Sequence, residues 1–338
     1  MQKLRRTIIA CLAAAAALGA GATAPHSVSG TSPTVAEDFN SMWNGSEAVL
    51  TLPEGWAVDR NMTAPRTVGS WSAASSEVMY AGGVSLASNA KNGTWNFGSS
   101  SDGSDRAVGG LTTTVNNGTR GVNLMTAITN SDARPIDRLT ISYNIEKYRK
   151  GANAAGFAVQ LYYSTDGEAW TPAGDSFRTH FDADNETLGA EIVPISTTEV
   201  KDRVLMADVA PGATVYLAWN ISVATGSTPD KAPGLAIDDV NVTASFADAN
   251  KHYLYVENAT GAPSLTVYST PDSYMGAAPG TASAMSKVVN GVSYLAWEMP
   301  AGSYSVTAVA AGTEYGPAAA GGDADLYLCA SPEGLKAI

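Results

Sequence analysis

Three stretches of the chain alternate apolar and polar residues with a period of two. Leu139, Ile141, Tyr143 and Ile145 oppose Thr140, Ser142 and Asn144; Phe157, Val159, Leu161 and Tyr163 repeat the spacing, as do Val215, Leu217, Trp219, Ile221 and Val223. Successive side chains of a strand point to opposite faces, so each stretch predicts a half-buried β-strand. Asp166-Gly167, in YYSTDGEAW, stands between two such runs and predicts a hairpin, because Gly accepts the positive φ of a tight turn. No helical period of useful length follows the first residues. Strands parted by Gly, Asn and Asp turns imply an all-β sandwich or jelly roll.

One strand breaks its own pattern. In GLAIDDVNVTASF, residues 234–246, Leu235 and Ile237 share one parity while Val240, Val242 and Phe246 share the other, and the change falls at Asp238-Asp239. A change of parity in mid-strand predicts a β-bulge, with one of the two carboxylates turned into the protein. A buried carboxylate needs a partner, and two are open. Arg149 of EKYRKG, or backbone N–H groups, would satisfy Asp238. Calcium would serve instead if the first and last strands of a jelly roll meet, so that Glu37 or Asp38 faces Asp239.

The strand pattern pauses after Phe246 at ADANKH and restarts with HYLYVENATGAPSLTVYS. A boundary is therefore expected near residue 248, between a first domain at 35–247 and a smaller β-sandwich at 250–338. Residues 23–34, which include PHSVSGTSPT, read as a flexible leader. Residues 1–22 carry Lys3, Arg5 and Arg6 before an Ala/Leu run ending in Ala20-Gly21-Ala22, the pattern of a secretory signal peptide. Ile8-Ile9-Ala10-Cys11 has the look of a lipoprotein box but leaves almost no apolar core ahead of the cysteine.

Composition narrows the chemistry. The formal net charge is −12, and removing residues 1–22 takes away only basic residues, so neither nucleic acid nor an anionic lipid surface would attract the chain. No later run approaches the ~18 apolar residues of a membrane span. Only Cys329 would remain after maturation, which excludes an intrachain disulfide and leaves a packed thiol. His26, His180 and His252 form no zinc-binding pair, and no Gly-x-Ser-x-Gly elbow occurs. Acidic runs such as FDADNE read as solvated turns. No catalytic residue is assigned, and no cofactor beyond a structural calcium. Gly98, Gly103, Gly109 and Gly110 read as loop and bulge residues, and Trp95 and Phe97 as core.

Several motifs carry a resemblance. Glu37-Asp38-Phe39, Leu52-Pro53-Glu54-Gly55-Trp56, DRAVGGL (105–111), ISYNIEKYRKG (141–151), VQLYYSTDGEAWT (159–171) and LAIDDVNV (235–242) together resemble, in order, the secreted lectin-like jelly-roll domains common in Bacteroidota. HYLYVEN, LTVYS, APGTASAMSKVVNGVSYLAWEMPAGSYSVTAV and DADLYLCA are similar to the starch-binding β-sandwich modules of bacterial amylases and surface glycan-binding proteins. Where that family often has a tryptophan ahead of Pro-Gly, this chain has Ala278.

The resemblances imply a secreted or cell-surface, non-catalytic carbohydrate-binding protein whose partner is starch or another polysaccharide. Sugars stack their C–H faces on flat rings, and Tyr268, Tyr274 and Trp297 are the candidate platform. Trp297 has the opposite parity to Val292 and Tyr294, and core packing is its alternative role. Two other readings stay open: an adhesin or structural protein that binds other cell-surface proteins, and a polysaccharide-degrading enzyme with paired carboxylates.

Overall fold

The computed structural model describes residues 23–82, 91–99, 103–187 and 193–247 with their side chains. Between 251 and 337 it describes strand backbone, with the side chains of Tyr255, Tyr294, Leu295 and Ala296. Residues 1–22 and Cys329 lie outside the described residues, as do the side chains of Tyr268, Tyr274 and Trp297.

The strands of the first part are β1 (His26–Val28), β2 (Thr34–Glu37), β3 (Trp56–Asn61), β4 (Tyr80–Ala81), β5 (Gly93–Phe97), β6 (Ala107–Leu111), β7 (Gly121–Asn130), β8 (Ile136–Arg149), β9 (Phe157–Ser164), β10 (Thr171–Pro172), β11 (Arg178–Phe181), β12 (Ser196–Val209), β13 (Thr214–Val223) and β14 (Gly234–Phe246). Those that follow are β15 (Lys251–Glu257), β16 (Ser264–Ser269), β17 (Ser273–Ala277), β18 (Met285–Val289), β19 (Val292–Pro300), β20 (Tyr304–Ala310), β21 (Thr313–Ala320), β22 (Leu326–Leu328) and β23 (Lys336–Ala337). The fold is all-β, as the alternation predicts.

The smaller sheet of the first part runs β1-β7-β13-β9-β10, with β3 also on β7 and β11 on β9. The larger includes β12-β8-β14-β6-β5-β4, with β2 also on β14. The long strands β7, β8, β9, β12, β13 and β14 alternate between the two sheets along the chain, so every connection crosses the sandwich, as in a jelly roll. A pairing of Leu205 with Ser286 carries the larger sheet on to β18, β19, β15, β22 and β23, while β17-β16-β20-β21 form a separate sheet.

The apolar parities meet between the two sheets of the first part. Leu139, Ile141, Tyr143 and Ile145 face Val215, Leu217, Trp219 and Ile221, all at most 1% exposed. Trp219 stacks near Trp56 and meets Tyr143 edge-on, with ring centroids 5.9 and 5.7 Å away.

Two expectations are corrected by packing, and a third is refined. The strand β13 is buried on both faces, because Val68, Trp71 and Trp170 pack across Ala57, Met125, Ala127 and Ala218 on the outer side of its sheet. Trp95 and Phe97 are core residues as expected, and the core they join is a second cluster with Tyr148 and Ala236, separate from the inter-sheet one. His26–Val28, in the segment read as a flexible leader, is a strand parallel to Ile128–Asn130. Three residues give no periodicity to read; what holds them is the buried Val28 and the contact of His26 with Trp56, with centroids 6.1 Å apart. The Asp166-Gly167 turn joins β9 to β10 as expected, with Asp166 Oδ1 accepting the N–H groups of Glu168 and Ala169, each at 2.8 Å.

Candidate metal centre at the bulge

Two strands share one edge of β14. Leu235–Ile237 pair with β6, Val240–Thr243 pair with β2, and Asp238-Asp239 stand at the handover. On the opposite edge the register with β8 jumps between Asp238 and Asn241. Asp239 takes the left-handed conformation, φ 48°, which Asp tolerates better than most residues. This is the bulge that the parity change predicts, and it sends the two carboxylates to different surroundings.

Asp239 is exposed and accepts a hydrogen bond from Asn144 Nδ2 at 2.8 Å. It borders a groove of ≈ 390 Å³ lined by Ala36, Glu37, Asp38, Val240 and Asn241. The expected meeting of Glu37 and Asp38 with Asp239 therefore occurs. Those two acids already serve their own turn: Glu37 accepts the Phe39 N–H at 2.9 Å and Asp38 the Asn40 N–H at 3.0 Å. Burial raises the Glu37 carboxyl above its ordinary range.

Asp238 is 5% exposed, and its Oδ1 has no hydrogen-bond partner among the described residues. It lies on the outer face of the larger sheet, opposite Asn144 and diagonal to Glu146. Glu146 is likewise 5% exposed, and its Oε2 accepts the Tyr148 hydroxyl at 2.6 Å. Alternation along β8 places Glu146 and Tyr148 on the outward parity. They are covered there by the aromatic layer of Trp95 and Phe97, the latter stacked on Tyr148 at 4.9 Å. Asp105, exposed and just ahead of β6, completes the group: one oxygen each from Asp105, Glu146 and Asp238 all lie within 4.8 Å of one another.

The charge at this point is unbalanced. Burial, opposed by a bond from the Asp239 N–H and reinforced by the negative charges of Asp239, Glu146 and Asp105, pushes the Asp238 carboxyl up to about 8. Burial also raises Glu146, against the hydrogen bond from Tyr148. The near cation is Arg106, fully buried, but its Nε donates to Asn96 Oδ1 at 2.8 Å, Nη2 to the Asn96 carbonyl at 3.1 Å, and Nη1 to the Ser99 carbonyl.

Arg149 is not the partner of Asp238. It lies three positions from Glu146 and so has the opposite parity, and its guanidinium donates to the Ala232 carbonyl. The other bases of EKYRKG are also engaged away from the bulge, Lys147 with Asp184 at 2.6 Å and Lys150 with Glu186 at 3.9 Å.

Sequence reasoning found Asp238 but missed Glu146 and Asp105. All three fall within motifs that carry the jelly-roll resemblance, which was the available signal; their convergence needs the register of β8, β14 and β6.

The aromatic candidates divide between two sheets. Tyr268 and Tyr274 sit opposite each other in the β16–β17 pairing, with Tyr274 in a strand and not in a loop, whereas Trp297 lies on β19 opposite Leu254. Tyr294 and Ala296 are buried, and Leu295, which shares the parity of Trp297, is half-buried.

No protein-family model and no curated protein matches the chain. Among solved structures, the enzymatically active domain of bacteriophage CBA120 tailspike protein 4 is similar at 13% identity and a TM-score of 0.26, over 60% of this chain and 23% of that one. The chain thus spans under a quarter of that tailspike structure. Among the described residues no helix is long and apolar enough to cross a membrane.

Proposed function

We propose that this is a non-catalytic glycan-binding protein acting outside the cell, with a polysaccharide such as starch as its ligand. The observation that carries the reading is the register of the β16–β17 hairpin, which sets Tyr268 against Tyr274 on an edge strand of its sheet. Two aromatic residues on neighbouring strands are the element from which a sugar-stacking platform is built, and an edge position leaves room for a long polymer. Trp297 belongs to β19 in the other sheet.

The non-catalytic reading has its own support. A glycosidase keeps its two carboxyl groups about 5 to 10 Å apart, on either side of the scissile bond. In the carboxylate cluster found here, Glu146 and Asp238 are each only 5% exposed, so two of its three members are withdrawn from a substrate in solvent.

Native gel electrophoresis of the full chain in gels containing soluble starch, and separately other polysaccharides, tests the proposal. Retardation by at least one glycan is expected, with apparent affinity falling roughly tenfold or more in the Tyr268→Ala/Tyr274→Ala variant. If no glycan slows the protein, the reading fails and the adhesin alternative replaces it.

A further inference from the structure

We propose that Asp105, Glu146 and Asp238 bind a calcium ion on the outer face of the larger sheet, where β6, β8 and β14 meet. The inference is independent of the glycan reading.

Geometry comes first. Oxygens held by one calcium ion at about 2.4 Å are at most about 4.8 Å apart. One oxygen from each of the three residues meets that limit. The donors are all carboxylates, with neither imidazole nor thiolate among them, which suits a hard cation and not zinc or copper. Three charged ligands and a flexible coordination number favour calcium over magnesium, which keeps most of its waters.

The second observation is independent of the clustering. Asp238 is only 5% exposed, and its buried Oδ1 lacks a donor among the described residues. Buried polar atoms in native proteins are nearly always satisfied, so an orphaned carboxyl oxygen beside two further carboxylates marks a place that a cation would fill. Arg106 contributes one charge nearby while its N–H groups are engaged by Asn96 and Ser99. A divalent ion beside it would bring three carboxylates and one guanidinium to neutrality.

The surroundings also prearrange the ligands. The Tyr148 hydroxyl donates to Glu146 Oε2 at 2.6 Å and so fixes the orientation of that carboxylate. Asp105 is exposed, so water can complete the coordination sphere from its side. The Glu37, Asp38 and Asp239 groove is the rival location, and it lacks an orphaned buried oxygen among the described residues.

The test is thermal unfolding and titration calorimetry of the full chain, stripped with EDTA and then given calcium chloride. At hundredfold excess over the dissociation constant, the unfolding midpoint should rise by about 5 °C, with saturable heat for one ion. Asp238→Asn and Glu146→Gln should abolish the rise, Asp105→Asn should weaken affinity about tenfold or more without lowering the calcium-free midpoint, and Asp239→Asn should keep the full response. Because Asp105 is exposed, its variant remains informative if a buried substitution prevents folding. An unresponsive wild-type protein overturns the proposal, as does a response that survives in Asp105→Asn and Asp238→Asn or disappears in Asp239→Asn.

Discussion

Asp238 and Asp239 are chemically identical neighbours that the backbone sends into different dielectric settings. Without calcium, Asp238 takes up a proton on folding, because its native carboxyl sits near 8 against an ordinary value of 3.8. The native state then binds more protons than the unfolded chain between those values, so this residue's contribution to stability falls as pH rises through that window. In EDTA, the urea midpoint of the wild-type protein is accordingly expected to drop relative to Asp238→Asn between pH 5 and pH 8. A constant difference would mean that Asp238 is already compensated. Parity in the sequence revealed that one Asp would be buried, but its neighbours were hidden. A strand's alternation records the face it turns to the core and says nothing of what a second layer lays over the other face.

At the level of elements, the glycines of DRAVGGL show why the strand β6 was illegible. They look like loop residues, yet Gly109 pairs with Ala236, and a Cβ there would overlap the Leu235 carbonyl oxygen and the Ala236 Cα. The obstacle is backbone, which cannot swing aside as a side chain would. Gly109→Ala should therefore cost about 2 kcal/mol or more in urea unfolding. Since Asp105 lies two residues ahead of this strand, the same variant should weaken calcium binding without touching a ligand. By contrast, β8 was legible from Leu139 to Ile145 because its outward residues there are partly solvated. The pattern inverts at Glu146, beyond which the outward-parity Glu146 and Tyr148 are buried while Lys147 and Arg149 are only half-buried.

For the whole molecule, the alternation and turn residues were enough to imply an all-β sandwich, because that architecture follows from which faces must leave water. What they could not supply was the role of His26–Val28, whose place depends on a partner strand a hundred residues away. A chain starting at Thr34 tests this. If residues 23–33 were a mere leader, its midpoint would equal that of the longer chain. The burial of Val28 and the His26–Trp56 contact instead predict a loss of about 2 kcal/mol or more, read as a fall of several degrees in the midpoint.

The handover on β14 also sets a timetable for synthesis. Thr34 and Thr243, whose hydroxyls are bonded at 3.0 Å, are 209 residues apart in sequence. A ribosome must therefore release nearly the whole first part before β2 has anything to pair with, and closing so long a loop is slow. Until then the growing chain carries β2 loose, open to proteases and to any partner that prefers an unpaired edge. The carboxylates of Asp105 and Glu146 also wait for Asp238, so an ion that needs all three can join only at the last step and would act as the catch on a finished fold.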